Sequence, residues 1–169
     1  MRPTEAVAAT GLDPAWLPLA AGRLVLLRSP GREGDVASDL ATLVGWSVDV
    51  LVSLTTAAEP HLGAIRRTVR GLPLAWHHLP IADFGTPDAR WEAAWAKVAP
   101  QLHRRLDQGG TVAVHCWGGR GRSGLVAARL LQERGLPPAA AIRTVRRIRP
   151  DAIETPQQVA HLRRTGPSP

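Results

Sequence analysis

The 169-residue sequence predicts an α/β fold, a mostly parallel central sheet flanked by helices on both faces. Three observations carry this. Short apolar runs rich in Val and Leu alternate along the chain with longer runs of helical periodicity. One such run, Thr111–His115, passes straight through a glycine-rich stretch into a helix-like segment, the strand–loop–helix order of doubly wound sheets. No repeat, linker or shift of composition divides the chain. It therefore reads as a single domain, 1–169, large enough for a real core. Residues 1–20, with their prolines and small residues, and the polar tail 165–169 are expected to be loose.

Taken in order, Arg23–Leu27 reads as a strand and Asp35–Val44 as a short helix. Val48–Leu54 is the next strand, His61–Arg70 a helix, and Leu74–Leu79 a further strand. Trp91, Trp95, Val98, Leu102 and Leu106 recur at helical spacing, giving a helix over 87–107 with an expected bend at Pro100. Its start is marked by Thr86-Pro87-Asp88: a cap residue, a proline at the first helical position and an acid in the first turn. The strand 111–115 and a helix over 123–134 flank the glycine-rich loop, and helices near 138–148 and 156–164 finish the chain. This order places a site at the carboxyl end of a central strand.

That loop carries the chemistry. Residues 115–124 read His-Cys-Trp-Gly-Gly-Arg-Gly-Arg-Ser-Gly, and Cys116 is the only cysteine. A helix N-terminus offers unpaired backbone N–H groups and partial positive charge to an anion. Gly118, Gly119 and Gly121 let those amides approach it, and suit a loop that needs positive φ. Arg122 adds a planar fork for two phosphate oxygens. The same positive surroundings favour the thiolate of Cys116, which can then attack phosphorus. Ser123 can hydrogen-bond the sulfur when it departs. A bare Cys-x5-Arg spacing arises by chance and most lone cysteines are small buried hydrophobes, but the complete decapeptide in strand–loop–helix context meets far more requirements.

A proton donor is also needed, because an alkoxide or phenoxide leaves poorly unless protonated. Upstream the chain reads Leu79-Pro-Ile-Ala-Asp-Phe-Gly-Thr-Pro-Asp88, and two aspartates compete for the role. Asp88 reads as part of the helix start, and Asp83, in a glycine-containing, proline-flanked stretch, suits either an ordinary loop aspartate or the acid.

His-Cys-x5-Arg-Ser resembles the signature loop of the cysteine-dependent protein tyrosine phosphatase superfamily. The Trp-Gly-Gly-x-Gly-Arg-Ser version is most similar to the small dual-specificity branch, near the cyclin-dependent-kinase-inhibitor-associated phosphatases. The resemblance implies a protein tyrosine phosphatase-like fold and a phosphomonoester hydrolase working through a phosphocysteine at Cys116. Phosphate would be bound by Arg122 and the loop from Trp117 to Gly121, with Ser123 assisting hydrolysis. His115 would orient the loop and help hold the cysteine ionised. In this family a mobile Pro-x-x-Asp segment carries the acid, and Pro80–Asp83 fits it. Val50–Glu59 is similar to the family's strand and following loop, so that Glu59 either braces the active-site arginine or is a solvated surface glutamate. Ala152-Ile-Glu-Thr-Pro-Gln-Gln158 resembles the segment that orients the hydrolytic water. There Gln158 matches a family glutamine and Glu154 departs from one, and a helix cap at Thr155-Pro156 explains the stretch equally well.

The implied substrates are phosphotyrosine and phosphoserine or phosphothreonine in proteins. Arg120 opens an alternative, a phosphoinositide or inositol polyphosphate, if it lies on the pocket floor rather than in solvent. Trp117 is expected to pack beneath the loop rather than rim the pocket. A rhodanese-type sulfurtransferase would need no acid at Asp83 and typically has a shorter loop, and an idle phosphate-binding module would not need the full catalytic set.

Composition limits the rest. No apolar run approaches the ~20 residues of a membrane span. The N-terminus lacks a signal peptide's apolar segment, and a nucleophilic thiol needs a reducing compartment, so a cytoplasmic protein is expected. No His/Cys cluster has metal-ligand spacing, and neither metal nor cofactor is expected. Net charge is +7, and Lys97 is the single lysine among 21 basic residues. Arg143, Arg146, Arg147 and Arg149 read as the solvated face of an amphipathic helix, and no aromatic residues interleave them, which argues against nucleic acid as partner.

Overall fold

The computed structural model describes residues 10–166. Five strands form one sheet in the order β1-β2-β5-β3-β4, made of Ala15–Pro18, Arg23–Leu27, Val50–Ser53, Ala75–His78 and Thr111–His115 for β1 to β5. The pairs β2–β5, β5–β3 and β3–β4 are parallel, and only β1 runs antiparallel, against β2. Six helices follow in chain order: α1 Val36–Gly45, α2 Leu62–Val69, α3 Ala89–Asp107, α4 Gly121–Glu133, α5 Pro138–Ile148 and α6 Pro156–Thr165.

Strand alternation sorts the helices onto the two faces. Leu24, Leu26, Val50, Val52, Val112 and Val114 turn to one side and pack with apolar residues of α3, α4, α5 and α6. Val25, Leu27, Leu51 and Ala113 turn to the other and meet Val36, Leu40 and Leu43 of α1 and Ile65 and Val69 of α2. Both faces of β5 are therefore covered, and every residue of that strand is buried. Trp91 and Trp95 lie in the first cluster, their rings stacked at a 4.9 Å centroid separation.

Three expectations about local structure are corrected. Residues 15–18, expected to be loose, form β1, and Leu12, Ala15 and Leu17 are buried; residues 1–9 and 167–169 lie outside the described residues. The long helix begins at Ala89, because Asp88 rather than Thr86 is its cap and accepts a hydrogen bond from the Trp91 amide at 2.8 Å. It then runs through Pro100 without interruption, to Asp107. Finally, Arg149 is buried rather than solvated, and Arg146, though exposed as expected, has its guanidinium engaged. Arg146 donates to the carbonyls of Ala152 and Ile153, and Arg149 pairs with Asp13 at 2.7 Å, tying the end of α5 to the segment before β1. The 152–153 turn that Arg146 holds sits directly on α4, where Ile153 has φ +59° and a Cβ on Gly124 would fall 2.8 Å from that of Ala152.

This framework positions the loop. β5 is central, β2 on one side and β3 on the other, and register sets Leu27 and Ser53 both opposite His115. The chain ends of β2, β3 and β5 therefore converge where residues 116–120 turn into α4, the switch point of the sheet.

Candidate active site

Cys116 is the first residue beyond β5 and is 3% exposed, at the bottom of a cavity of about 200 Å³. Trp117, Gly118, Arg120, Gly121 and Arg122 line the same cavity. Of the three loop glycines only Gly119 has a positive φ, +69°, and a Cβ there would lie 2.5 Å from the Leu27 carbonyl group. Gly119 is thus required by close approach as well as by conformation. At Gly121 the backbone is approached by side chains instead: a Cβ would fall 2.9 Å from a carboxylate oxygen of Glu154, which would have to shift. No side chain of the N-cap residue Arg120 closes the first turn of α4. One amide of that turn is nonetheless taken, since Gly121 N donates to Glu154 Oε1 at 2.8 Å.

Arg122 is 2% exposed and is held from two sides. Its Nη1 and Nη2 donate to the two carboxylate oxygens of Glu59, both at 2.8 Å, and Nη1 also donates to the Ile81 carbonyl at 3.0 Å. Glu59 is therefore not a free surface glutamate; it is folded back over its own turn, accepting from the Thr56 amide at 2.7 Å. Burial pushes its carboxyl up, but the bonds from Arg122 and Thr56 outweigh this and hold it below the ordinary carboxylate range. For Arg122, burial works against the charge, and Glu59 together with Cys116 and Asp83 more than compensates.

Asp83 reaches the same arginine, with Oδ1 3.2 Å from Nη2, while its side chain stays 56% exposed at the cavity edge. Asp88 caps α3 and lines a separate depression with Leu79 and Trp91, away from Cys116. Of the two competing aspartates, the fold brings only Asp83 to the sulfur's cavity.

His115 is fully buried beneath the loop. Its Nε2 lies 2.6 Å from Ser53 Oγ, which accepts from Trp76 Nε1 at 2.9 Å, and its Nδ1 lies 3.4 Å from the Cys116 carbonyl. With Trp76 donating to Ser53, the arrangement suits a ring protonated at Nδ1, so that Ser53 donates to Nε2 and Nδ1–H donates to Cys116 O. Burial lowers the ring's pKa to about 4, so His115 is neutral at pH 7. Neutral, it contacts the loop at the Cys116 carbonyl, so any help it gives in holding the cysteine ionised runs through hydrogen bonding and not through charge.

This has a measurable consequence. The unfolded chain binds a proton at His115 below its ordinary pKa of ~6.5 while the folded chain does not until about 4. Stability is then full above pH ~6.5 and lost as pH falls toward 4, by about 3 kcal/mol. His77 and His161, whose pKa values burial also lowers, act in the same direction. Urea unfolding at pH 7 and pH 4.5 should show the loss, together with an NMR titration in which the His115 ring stays neutral through pH 5.5. A ring midpoint near 6.5 would contradict it.

Ser123 is fully buried and its Oγ has no hydrogen-bond partner among the described residues. An unpartnered buried hydroxyl one residue past the arginine remains available to a ligand or leaving group. Gln158, by contrast, is committed. Its Oε1 accepts from the amides of Glu154 and Thr155, its own amide completes a capping box with Thr155, and its Nε2 donates to the Gly85 carbonyl at 3.1 Å. It caps α6 and ties that helix to the Asp83 segment. Trp117 both packs and rims: its ring lines the cavity, stacked with His61 at 6.0 Å and covered by the Arg32 guanidinium at 5.2 Å. Arg120 is on the rim rather than the floor, its Nη1 3.6 Å from Asp151. Two further arginines, Arg28 and Arg32, line the cavity and were not singled out from the sequence. Among the described residues no cluster of His, Cys, Asp or Glu could hold a metal ion, and no helix is long and apolar enough to cross a membrane.

Comparisons with known proteins agree with this geometry. Human cyclin-dependent kinase inhibitor 3 is 40% identical over 89 residues, which is 51% of this chain and 41% of that protein. The chain thus matches about two fifths of the length of this curated relative. Among solved structures, kinase associated phosphatase with its catalytic-site cysteine replaced by serine superimposes with a TM-score of 0.79 at 28% identity, over 92% of this chain and 94% of that one. The active form of Tk-PTP gives a TM-score of 0.68 at 28% identity, over 91% and 97%. The family model described as "PTP-SAK: Swiss Army Knife protein, DSP-PTPase phosphatase domain" matches residues 19–167, and the chain therefore belongs to this family of cysteine-based protein tyrosine and dual-specificity phosphatase domains.

Proposed function

We propose that the protein hydrolyses phosphate monoesters through a phosphocysteine at Cys116, with phosphotyrosine and phosphoserine or phosphothreonine of proteins as substrates, in the cytoplasm. The observation that carries this reading is a buried cysteine at the mouth of a helix N-terminus, facing a cavity it shares with an arginine held by Glu59. The relatives' names, a cyclin-dependent kinase inhibitor and a kinase associated phosphatase, favour phosphorylated proteins as partners.

In the first step the Cys116 thiolate attacks phosphorus in line, the S–P bond forming as the ester P–O bond breaks. Asp83 gives its proton to the departing oxygen. Arg122, whose Nε donates to no protein group among the described residues, and the free amides of the loop receive the equatorial oxygens. Water then attacks phosphorus, its proton passes to the Asp83 carboxylate, and the S–P bond breaks to release phosphate and restore the thiolate. Ser123 Oγ–H stabilises the sulfur as it leaves. Asp83 and the incoming phosphate compete for Arg122 Nη2, so phosphate binding frees the carboxylate to face the leaving group.

The test is a steady-state panel of phosphotyrosine, phosphoserine/threonine and inositol phosphate substrates, run with the Asp83→Ala variant alongside. Phosphopeptide turnover is expected to exceed that of inositol phosphates. Asp83→Ala should lower kcat about 10²–10⁴-fold for alkyl and phenyl leaving groups and much less for a nitrophenolate, which needs no proton. Equal losses across leaving groups would make Asp83 structural.

A further inference from the structure

The loop that would receive phosphate already holds an anion of its own. Of the backbone amides from Trp117 to Arg122, only that of Gly121 donates to another group among the described residues, and its acceptor is a carboxylate, Glu154 Oε1 at 2.8 Å. Gly121 and Glu154 both line the cavity that Cys116 and Arg122 share. A carboxylate oxygen therefore sits on one of the donors that a phosphate oxygen would use. Asp83 engages the Arg122 guanidinium in a similar way, at 3.2 Å from Nη2, but Asp83 has a proton to deliver and Glu154 has no such task.

The Glu154 contact is built to be exchanged. The carboxylate forms no ion pair among the described residues, and the arginines lining the cavity face other acids: Arg28 faces Asp13 at 3.4 Å, Arg32 Glu33 at 3.4 Å, Arg120 Asp151 at 3.6 Å and Arg122 Glu59 at 2.8 Å. The bond to Gly121 is the one hydrogen bond its side chain makes, and the residue is exposed. Its backbone, in contrast, is fixed. Glu154 N donates to Gln158 Oε1 at 2.9 Å, and Ile153 N donates to the Arg120 carbonyl at 3.3 Å. The carboxylate can thus leave by side-chain rotation into solvent, while the backbone keeps it within reach of the amide. One N–H serves one strong acceptor, so a phosphate oxygen arriving at Gly121 meets both a competitor and the repulsion of a like charge.

We propose that Glu154 is a built-in competitor for the phosphate-binding loop. Its carboxylate holds the Gly121 amide while the cavity is empty, yields it to a phosphate oxygen as substrate binds, and reclaims it as inorganic phosphate leaves. The inference rests on the phosphatase reading above and adds to it a residue that sets substrate affinity and product release. A mere cap of α4 would act with the opposite sign. It would keep the first turn in shape and so favour phosphate binding, whereas a competitor opposes it.

The experiment measures Ki for inorganic phosphate and KM for a phosphotyrosine peptide in wild-type, Glu154→Gln and Glu154→Ala protein. Glu154→Gln is expected to lower both constants together by about tenfold, the value of one hydrogen bond to a charged group. Glu154→Ala should lower them at least as far, because the Gly121 amide is left open. Should the alanine variant fail to fold, the isosteric glutamine variant still decides. Constants unchanged or raised in Glu154→Gln overturn the competitor and make Glu154 a cap. The 13C signal of the Glu154 side-chain carboxyl should also move in step with phosphate occupancy of the wild-type protein, and a signal unmoved at saturation overturns the displacement. If no peptide is turned over, the phosphatase reading fails by itself. Glu154 is then judged by calorimetry of inorganic phosphate with Cys116→Ser protein, where adding Glu154→Gln should tighten binding by the same factor. An unchanged dissociation constant, or no binding to either protein, overturns the proposal.

Discussion

Cys116→Ser is expected to lower kcat for every phosphomonoester by about 10⁴-fold or more, because the covalent intermediate cannot form at a neutral hydroxyl. Binding should survive. The contacts proposed to hold phosphate come from the loop amides and Arg122, and none of these depends on the sulfur; Arg122 remains fixed by Glu59 and Ile81. Serine is close in volume to cysteine, so folding should be little affected. Calorimetry with a phosphotyrosine peptide should give a dissociation constant equal to or below that of Cys116→Ala protein, with turnover absent. Mass spectrometry of wild-type protein quenched during turnover should show one added phosphoryl group on the Cys116 peptide. Residual hydrolysis by the serine variant near the wild-type rate would exclude nucleophilic catalysis at this position.

What the sequence made legible was local, and what it hid was tertiary. The decapeptide at 115–124 announces a strand end, a glycine loop and a helix start within one stretch, so the position of Cys116 at a helix mouth was readable before any fold was known. Asp83 was legible as a candidate through the Pro-x-x-Asp resemblance, and Asp88 does belong to the helix start, although the cap residue lies two positions later than expected. β1 was missed for a physical reason. Ala15–Pro18 is four residues long, preceded by Pro14 and ending in proline, a composition tolerated at a sheet edge and nowhere else in a strand. Arg28 and Arg32 were invisible because nothing near them in sequence carries chemistry. They reach the cavity only through the register that sets Leu27 beside His115. Glu154 was visible as a departure from the family's pattern, but its bond to the Gly121 amide depends on the turn at 152–153 packing onto α4. The same is true of Arg146 and Arg149, whose amphipathic spacing is that of a solvated helix face, and whose guanidinium groups find carbonyls and a carboxylate that only the folded chain supplies.

Arg122→Lys is expected to lower kcat/KM by about 10³-fold or more while leaving the protein folded. The arginine does two things at once, and lysine can reproduce only one. Its planar fork satisfies both oxygens of Glu59 and the Ile81 carbonyl, and still has Nε and the second Nη2 hydrogen for a ligand. An ammonium in that place keeps the charge that Glu59 needs, so no carboxylate is left buried and unpaired, the event that costs about 3–5 kcal/mol when a buried pair is broken. It has three donors, however, and those drawn to Glu59 and Ile81 leave none fixed for two phosphate oxygens. Each preorganised donor lost from a developing charge is worth about 10²–10³ in rate. Arg122→Ala should differ in kind: it removes the charge as well, and thermal unfolding should show a marked loss of stability in addition to the loss of activity. Glu59→Gln supplies the complementary arm. It keeps the fork but weakens its anchor, so activity should fall less than in Arg122→Lys, and Arg122 should hold phosphate with a raised KM rather than lose the transition state altogether. If Arg122→Lys retained activity within tenfold of wild type at normal stability, the guanidinium would be a structural partner of Glu59 and the phosphate would be held by the loop amides alone.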